Sequence, residues 1–229
     1  MIDSLTLDQF SFILAAFSTL LCLVISYQAY HSYKYMKSDY LLNFSAGFLL
    51  LAISYLILVP LAFGIKLPDM GTDVDSILNY SGRVVIHGAG LILIALAYSQ
   101  TPRARKLLFG LIGALAILEL LIILPQVYIP ESVDSALYLM NTALVVYVMY
   151  HMLKVVPSLD LVFLGFSLFA LDEYTAFIAS LGEGHIVYLL AESLRLAGLL
   201  IFFLSFLLTR KGLTLAPILL RRVNRAEEI

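Results

Sequence analysis

The chain has 229 residues, of which 62% are hydrophobic and 13% charged, and its mean hydropathy is +0.97. Water-soluble domains are roughly 45–50% apolar and about 25% charged, so the composition excludes an ordinary soluble domain and makes lipid the solvent for much of the surface. The net charge of −2 contains no block of like charge, which excludes nucleic acid as a partner, and a single cysteine, Cys22, excludes a disulfide framework and a cysteine-based metal site.

A spanning helix needs about 20 mostly apolar residues. Seven such runs follow one another: 10–30, 41–63, 77–99, 107–129, 135–155, 160–181 and 186–208. The first has no basic segment before it and no small-residue cleavage motif after it, so it reads as a retained helix rather than a signal peptide. The second carries Ser54 and Tyr55 at mid-height and Pro60 near its far end. The third holds Gly82, Arg83, His87, Gly88 and Gly90, and the fourth holds Gly110, Gly113, Glu119 and Pro125. Small residues of this kind let neighbouring helices approach closely. Asn141 lies in the fifth run, Asp172 and Glu173 in the sixth, and Glu192 and Arg195 in the seventh.

The connections carry turn chemistry and are short, as in Thr101-Pro102-Arg103, Pro157-Ser158 and Gly182-Glu183-Gly184, so none holds a soluble domain. The expected organisation is an all-α integral membrane protein: a seven-helix transmembrane domain over 1–211 and a short basic cytoplasmic tail over 212–229. The tail pairs Leu213, Leu215, Ile218, Leu219 and Leu220 with Arg221 and Arg222, a composition suited to the inner leaflet.

Lysine and arginine set the direction. Lys34 and Lys37 follow the first run, Arg103, Arg105 and Lys106 the third, Lys154 the fifth, and Arg210 and Lys211 the seventh. The opposite connections hold Lys66 among Asp69, Asp73, Asp75, Glu131, Asp134 and Glu183. A multi-pass protein of the cell membrane is expected, with its N-terminus outside and its C-terminus in the cytoplasm.

The two ends of the chain echo one another. Tyr30-His31-x-x-Lys34 matches Tyr150-His151-x-x-Lys154, Phe44-x-x-Gly47-Phe48 matches Val162-x-x-Gly165-Phe166, and Ser81-x-Arg83 matches Ser193-x-Arg195. The order is the same in both halves, which predicts a 3+1+3 parallel repeat with the fourth helix as linker. This plan resembles the seven-helix architecture of sugar transporters and opsins. The chain lacks a Pro-Gln motif of the first kind and a lysine within the seventh run of the second, so no family is assigned.

Ionisable groups gather at one depth. At 1.5 Å rise per residue, Arg83, Glu192 and Arg195 fall roughly 9–14 Å below the outer boundary, His87 about 15 Å, and Glu119, Asp172 and Glu173 about 12–15 Å. Asn141, Ser54, Tyr55, Ser18 and Thr19 fall near the same level. Charges at that depth cost about 2.5–3.5 kcal/mol each on insertion scales and mark function by default. Glu192 and Arg195, three residues apart, can pair on one face. Asp172 and Glu173 point about 100° apart and must find different partners. Four carboxylates against two arginines leave acid in excess, which calls for a proton or a cation.

The candidate polar site is therefore Arg83, His87, Glu119, Asn141, Asp172, Glu173, Glu192 and Arg195. A divalent metal on His87 with Asp172 or Glu173 is the metal site these residues would offer. His31 and His151 read as interfacial anchors beside Lys34 and Lys154, not as haem ligands, and Tyr27, Tyr30, Tyr33, Tyr35 and Tyr40 read as an aromatic belt. There is no Walker loop, no His-Glu-x-x-His and no nucleophile elbow, so an enzyme is not the expectation and no cofactor is indicated. The functions left are a small-solute or ion transporter coupled to protons, or an accessory or receptor-like subunit of a larger membrane complex. The partners expected are the lipid bilayer and either a protein partner or a second copy of the chain.

Overall fold

The computed structural model describes residues 4–62, 85–99, 101–123, 131–155, 161–182 and 184–210. These residues fold entirely as helices: α1 (Ser4–Met36), α2 (Asp39–Ala62), α3 (His87–Tyr98), α4 (Pro102–Ile123), α5 (Glu131–Val155), α6 (Leu161–Ser180) and α7 (Gly184–Arg210). Five contain stretches long and apolar enough to cross a membrane: Gln9–Met36, Asp39–Ile57, Ser135–Leu153, Leu161–Ser180 and Ile186–Leu208. The apolar α3 is shorter over the described residues. Arg83 and the expected tail over 212–229 lie outside the described residues, and so does the side chain of Glu119 on α4.

Local chemistry sets the helix ends. Lys37 closes α1 in the left-handed conformation (φ 51°), and its N–H donates to the Tyr33 carbonyl at 2.8 Å. This is a left-handed cap of the kind glycine usually fills. Thr101 starts α4: its hydroxyl accepts the Ala104 N–H at 3.3 Å, and Pro102 takes the first helical position, where a missing N–H costs nothing. Gly182, at φ 109°, ends the turn after α6.

The helices close a ring in the order α1, α2, α3, α5, α6, α7 and back to α1, with α4 packed against α3. The middle of the ring is filled by aromatic side chains. Phe202 of α7 meets Phe48 of α2 at 5.5 Å and Phe166 of α6 at 4.7 Å between ring centroids, both edge to face. Such pairs contribute about 0.5–1.5 kcal/mol beyond the area they bury. The ring surface is apolar: Phe17 is 55% exposed and Leu20 59%, whereas Asp172 is fully buried. That polarity is inside out for a water-soluble protein and suited to a helical bundle in a lipid bilayer.

The glycines divide into two groups. A methyl group on Gly90 would lie 2.9 Å from the Gly47 carbonyl oxygen, and one on Gly88 would lie 3.3 Å from Asn141 Oδ1, so these positions permit the close approach expected of them. Gly110 and Gly113 do not serve that purpose among the described residues, since a methyl on either would have nothing within 4 Å. They sit on an α4 whose neighbour is α3.

Candidate functional site

Six of the eight expected site residues have described side chains, and all six are buried: His87, Asn141, Asp172, Glu173, Glu192 and Arg195. They come together inside the ring, from α3, α5, α6 and α7. The centre of the cluster is two acid–base pairs made by consecutive residues of α6. Asp172 turns toward α7 and accepts two hydrogen bonds from Arg195, from Nε at 2.9 Å and Nη2 at 3.1 Å. Glu173 turns toward α3 and α5, where its Oε1 lies 2.6 Å from His87 Nε2 and its Oε2 accepts from Asn141 Nδ2 at 3.2 Å. The divergence of adjacent helical side chains thus separates the two carboxylates.

Arg195 makes its salt bridge to Asp172, not to Glu192 one turn away on its own helix. Glu192 remains within electrostatic reach of Arg195 and accepts a hydrogen bond from the Ser11 hydroxyl of α1 at 2.5 Å. Two further residues complete the cluster from α2. The Arg195 guanidinium lies over the Tyr55 ring, 4.9 Å from its centroid, and the Tyr55 and His87 rings are 5.5 Å apart. Ser54 Oγ lies 3.5 Å from His87 Nδ1. Ser54, Tyr55 and Ser11 were not among the expected site residues. Ser54 and Tyr55 share the depth of the layer, which is the signal that marks them; Ser11 carries no signal beyond its place near the start of α1.

Ser54 donates its hydroxyl to the Leu51 carbonyl at 3.0 Å, and His87 Nδ1 lies at the edge of hydrogen-bond reach of the same oxygen. The 2.6 Å contact between His87 Nε2 and Glu173 Oε1 requires a proton between imidazole and carboxyl, on either partner.

Two buried polar atoms beside this centre, Tyr55 Oη and Asn141 Oδ1, have no hydrogen-bond partner among the described residues. Buried polar atoms are normally satisfied, and exceptions point to water or a ligand. Among the described residues no group of three or more His, Cys, Asp and Glu side chains is placed to hold a metal ion. His31 and His151 lie apart from the centre, His31 5.0 Å from the Tyr35 ring and His151 4.4 Å from the Tyr147 ring.

The chain matches no protein-family model, no curated protein and no solved structure. The site is therefore read on its chemistry alone.

Proposed function

We propose that this protein is a seven-span membrane transporter, N-terminus outside, that moves a small solute or an ion in a cycle coupled to a proton on the His87–Glu173 pair. The observation that carries this reading is a buried imidazole and carboxyl 2.6 Å apart, a pair able to share and exchange a proton. Histidine is the side chain whose charge ordinarily changes near neutral pH. A purely structural centre needs a fixed pair such as Asp172 with Arg195, but not a second pair that can gain and lose a proton. Tyr55 Oη and Asn141 Oδ1 are the polar atoms such a site would offer a substrate.

An accessory role draws support from α4, where Gly110 and Gly113 face open space and Leu107, Phe109 and Ile117 are more than half exposed. One experiment separates the readings. The purified chain is reconstituted alone into liposomes with an internal pH dye, and a pH gradient is imposed. Protein-dependent proton movement, lost in Glu173→Gln and His87→Gln variants that still elute as folded species, supports transport. Silence of the folded wild type across all gradients and candidate solutes would leave the accessory reading.

A further inference from the structure

The packing around the polar centre occurs twice. On α2 and α3, a methyl on Gly90 would lie 2.9 Å from the Gly47 carbonyl and 3.1 Å from Leu51, and one on Gly47 would meet Ile94. On α6 and α7, a methyl on Gly198 would lie 3.1 Å from the Gly165 carbonyl and 3.0 Å from Phe169, and one on Gly165 would meet Phe202. One constant offset carries Gly47, Leu51, Ser54 and Tyr55 to Gly165, Phe169, Asp172 and Glu173. A second carries His87, Gly90 and Ile94 to Arg195, Gly198 and Phe202.

The polar contacts obey the same correspondence. Within the first three helices Ser54 reaches His87, as within the last three Asp172 reaches Arg195. Across the ring Glu173 reaches His87, as Tyr55 reaches Arg195. Helix neighbours follow as well: α1–α2, α2–α3 and α3–α5 become α5–α6, α6–α7 and α7–α1. Glycine-mediated packing is common in membranes. It does not by itself give matched partners at every position and crossed contacts of the same pattern. The register differs by one helical turn from the Ser-x-Arg match, pairing Arg195 with His87 in place of Arg83.

We propose that α1–α3 and α5–α7 are two copies of one unit, joined at the polar centre by two equivalent bridges, of which His87–Glu173 is released by loss of its proton and Arg195–Tyr55 is not. The use of this latch in transport rests on the reading above; the latch itself does not. His87 is faced by Ser54 and Tyr55 from α2, Glu173 and Asp172 from α6, Asn141 beyond Glu173 on α5, and Arg195 from α7. When the pair gives up a proton to water, the short contact between imidazole and carboxyl loses the charge assistance that strengthens it. Arginine keeps its proton throughout, so the other bridge persists and serves as the pivot.

The test uses the full chain in liposomes, with Cys22→Ala as background and spin labels at Tyr35→Cys on α1 and Leu153→Cys on α5, both exposed and on opposite helices of the ring. Across a pH titration the wild-type background is expected to show two distance populations, their ratio shifting by up to about tenfold per pH unit for release of one proton. His87→Gln and Glu173→Gln should each abolish the shift; two variants guard against failure of one to fold. Tyr55→Leu should change the ratio at every pH while leaving the shift in place. A single pH-independent population in the background protein overturns the proposal, as does a shift that survives in a folded His87→Gln or Glu173→Gln, or one lost in Tyr55→Leu. Motion without proton transport would refute the transporter and keep the latch; transport without motion would do the reverse.

Discussion

Arg195 and Asp172 form a buried ion pair: the guanidinium gives two hydrogen bonds to one carboxylate and lies against an aromatic face. Removing one partner of such a pair strands the other charge, at a cost of about 3–5 kcal/mol, whereas replacing both with apolar groups of similar size is often nearly neutral. Asp172→Leu and Arg195→Met should each lower thermal stability in detergent sharply, and the double variant should recover most of the loss. A double variant as unstable as the sum of the singles would mean that the two residues act through separate partners. The sequence carried part of this site openly. Adjacent acids in one span had to find different partners, and charges had to share a depth. Which acid took which base was not readable, because depth fixes the height of a side chain but not the direction it faces around the ring. Tyr55 shares that depth, but nothing in the sequence shows that a guanidinium lies over its ring.

At the scale of the element, the spans were legible from hydrophobicity and their ends were not. The first was expected over 10–30 and the helix runs over Ser4–Met36, because a helix does not stop where the hydrocarbon does. It continues through Tyr, His and Lys until Lys37 takes a left-handed conformation. The fourth was expected from 107, yet α4 starts at Pro102, where Thr101 supplies the cap. Glycine tells a similar story: the sequence lists every small residue but does not say which ones meet a neighbour. Gly90→Ala places a methyl 2.9 Å from a backbone carbonyl that has no flexible end to yield. Overpacking of this kind costs about 1–3 kcal/mol. Gly113→Ala meets open space and gains helix propensity of roughly 0.8–1.0 kcal/mol. Thermal unfolding of the two variants in the same detergent should move in opposite directions. Equal destabilisation would place α4 against an unseen neighbour and favour the accessory reading.

For the whole molecule, the proposed seven spans and their direction make the most exposed claim. Five helices are long and apolar enough to cross by their described residues, and the proposal adds α3 and α4 on the apolar runs 77–99 and 107–129. The argument for direction is electrostatic, since short cytoplasmic connections retain Lys and Arg. Met36 at the end of α1, Arg103 at the start of α4 and Leu153 near the end of α5 should then lie on one side, and Gly182 after α6 on the other. In a Cys22→Ala background, single cysteines at Met36, Arg103 and Leu153 should react with a membrane-impermeant maleimide only after the cells are opened, and a cysteine at Gly182 should react in intact cells. Five spans instead of seven, with α3 and α4 lying outside the bilayer, would leave Met36 and Leu153 on one side and move the Arg103 cysteine to the other, where it would react in intact cells. That outcome would also put His87 on a helix outside the membrane, and the energetic argument for a functional charged layer would fail with it. Agreement of all four sites would place the polar centre between two like-directed triplets. The proton on His87 and Glu173 would then have to reach water by a movement of one triplet against the other.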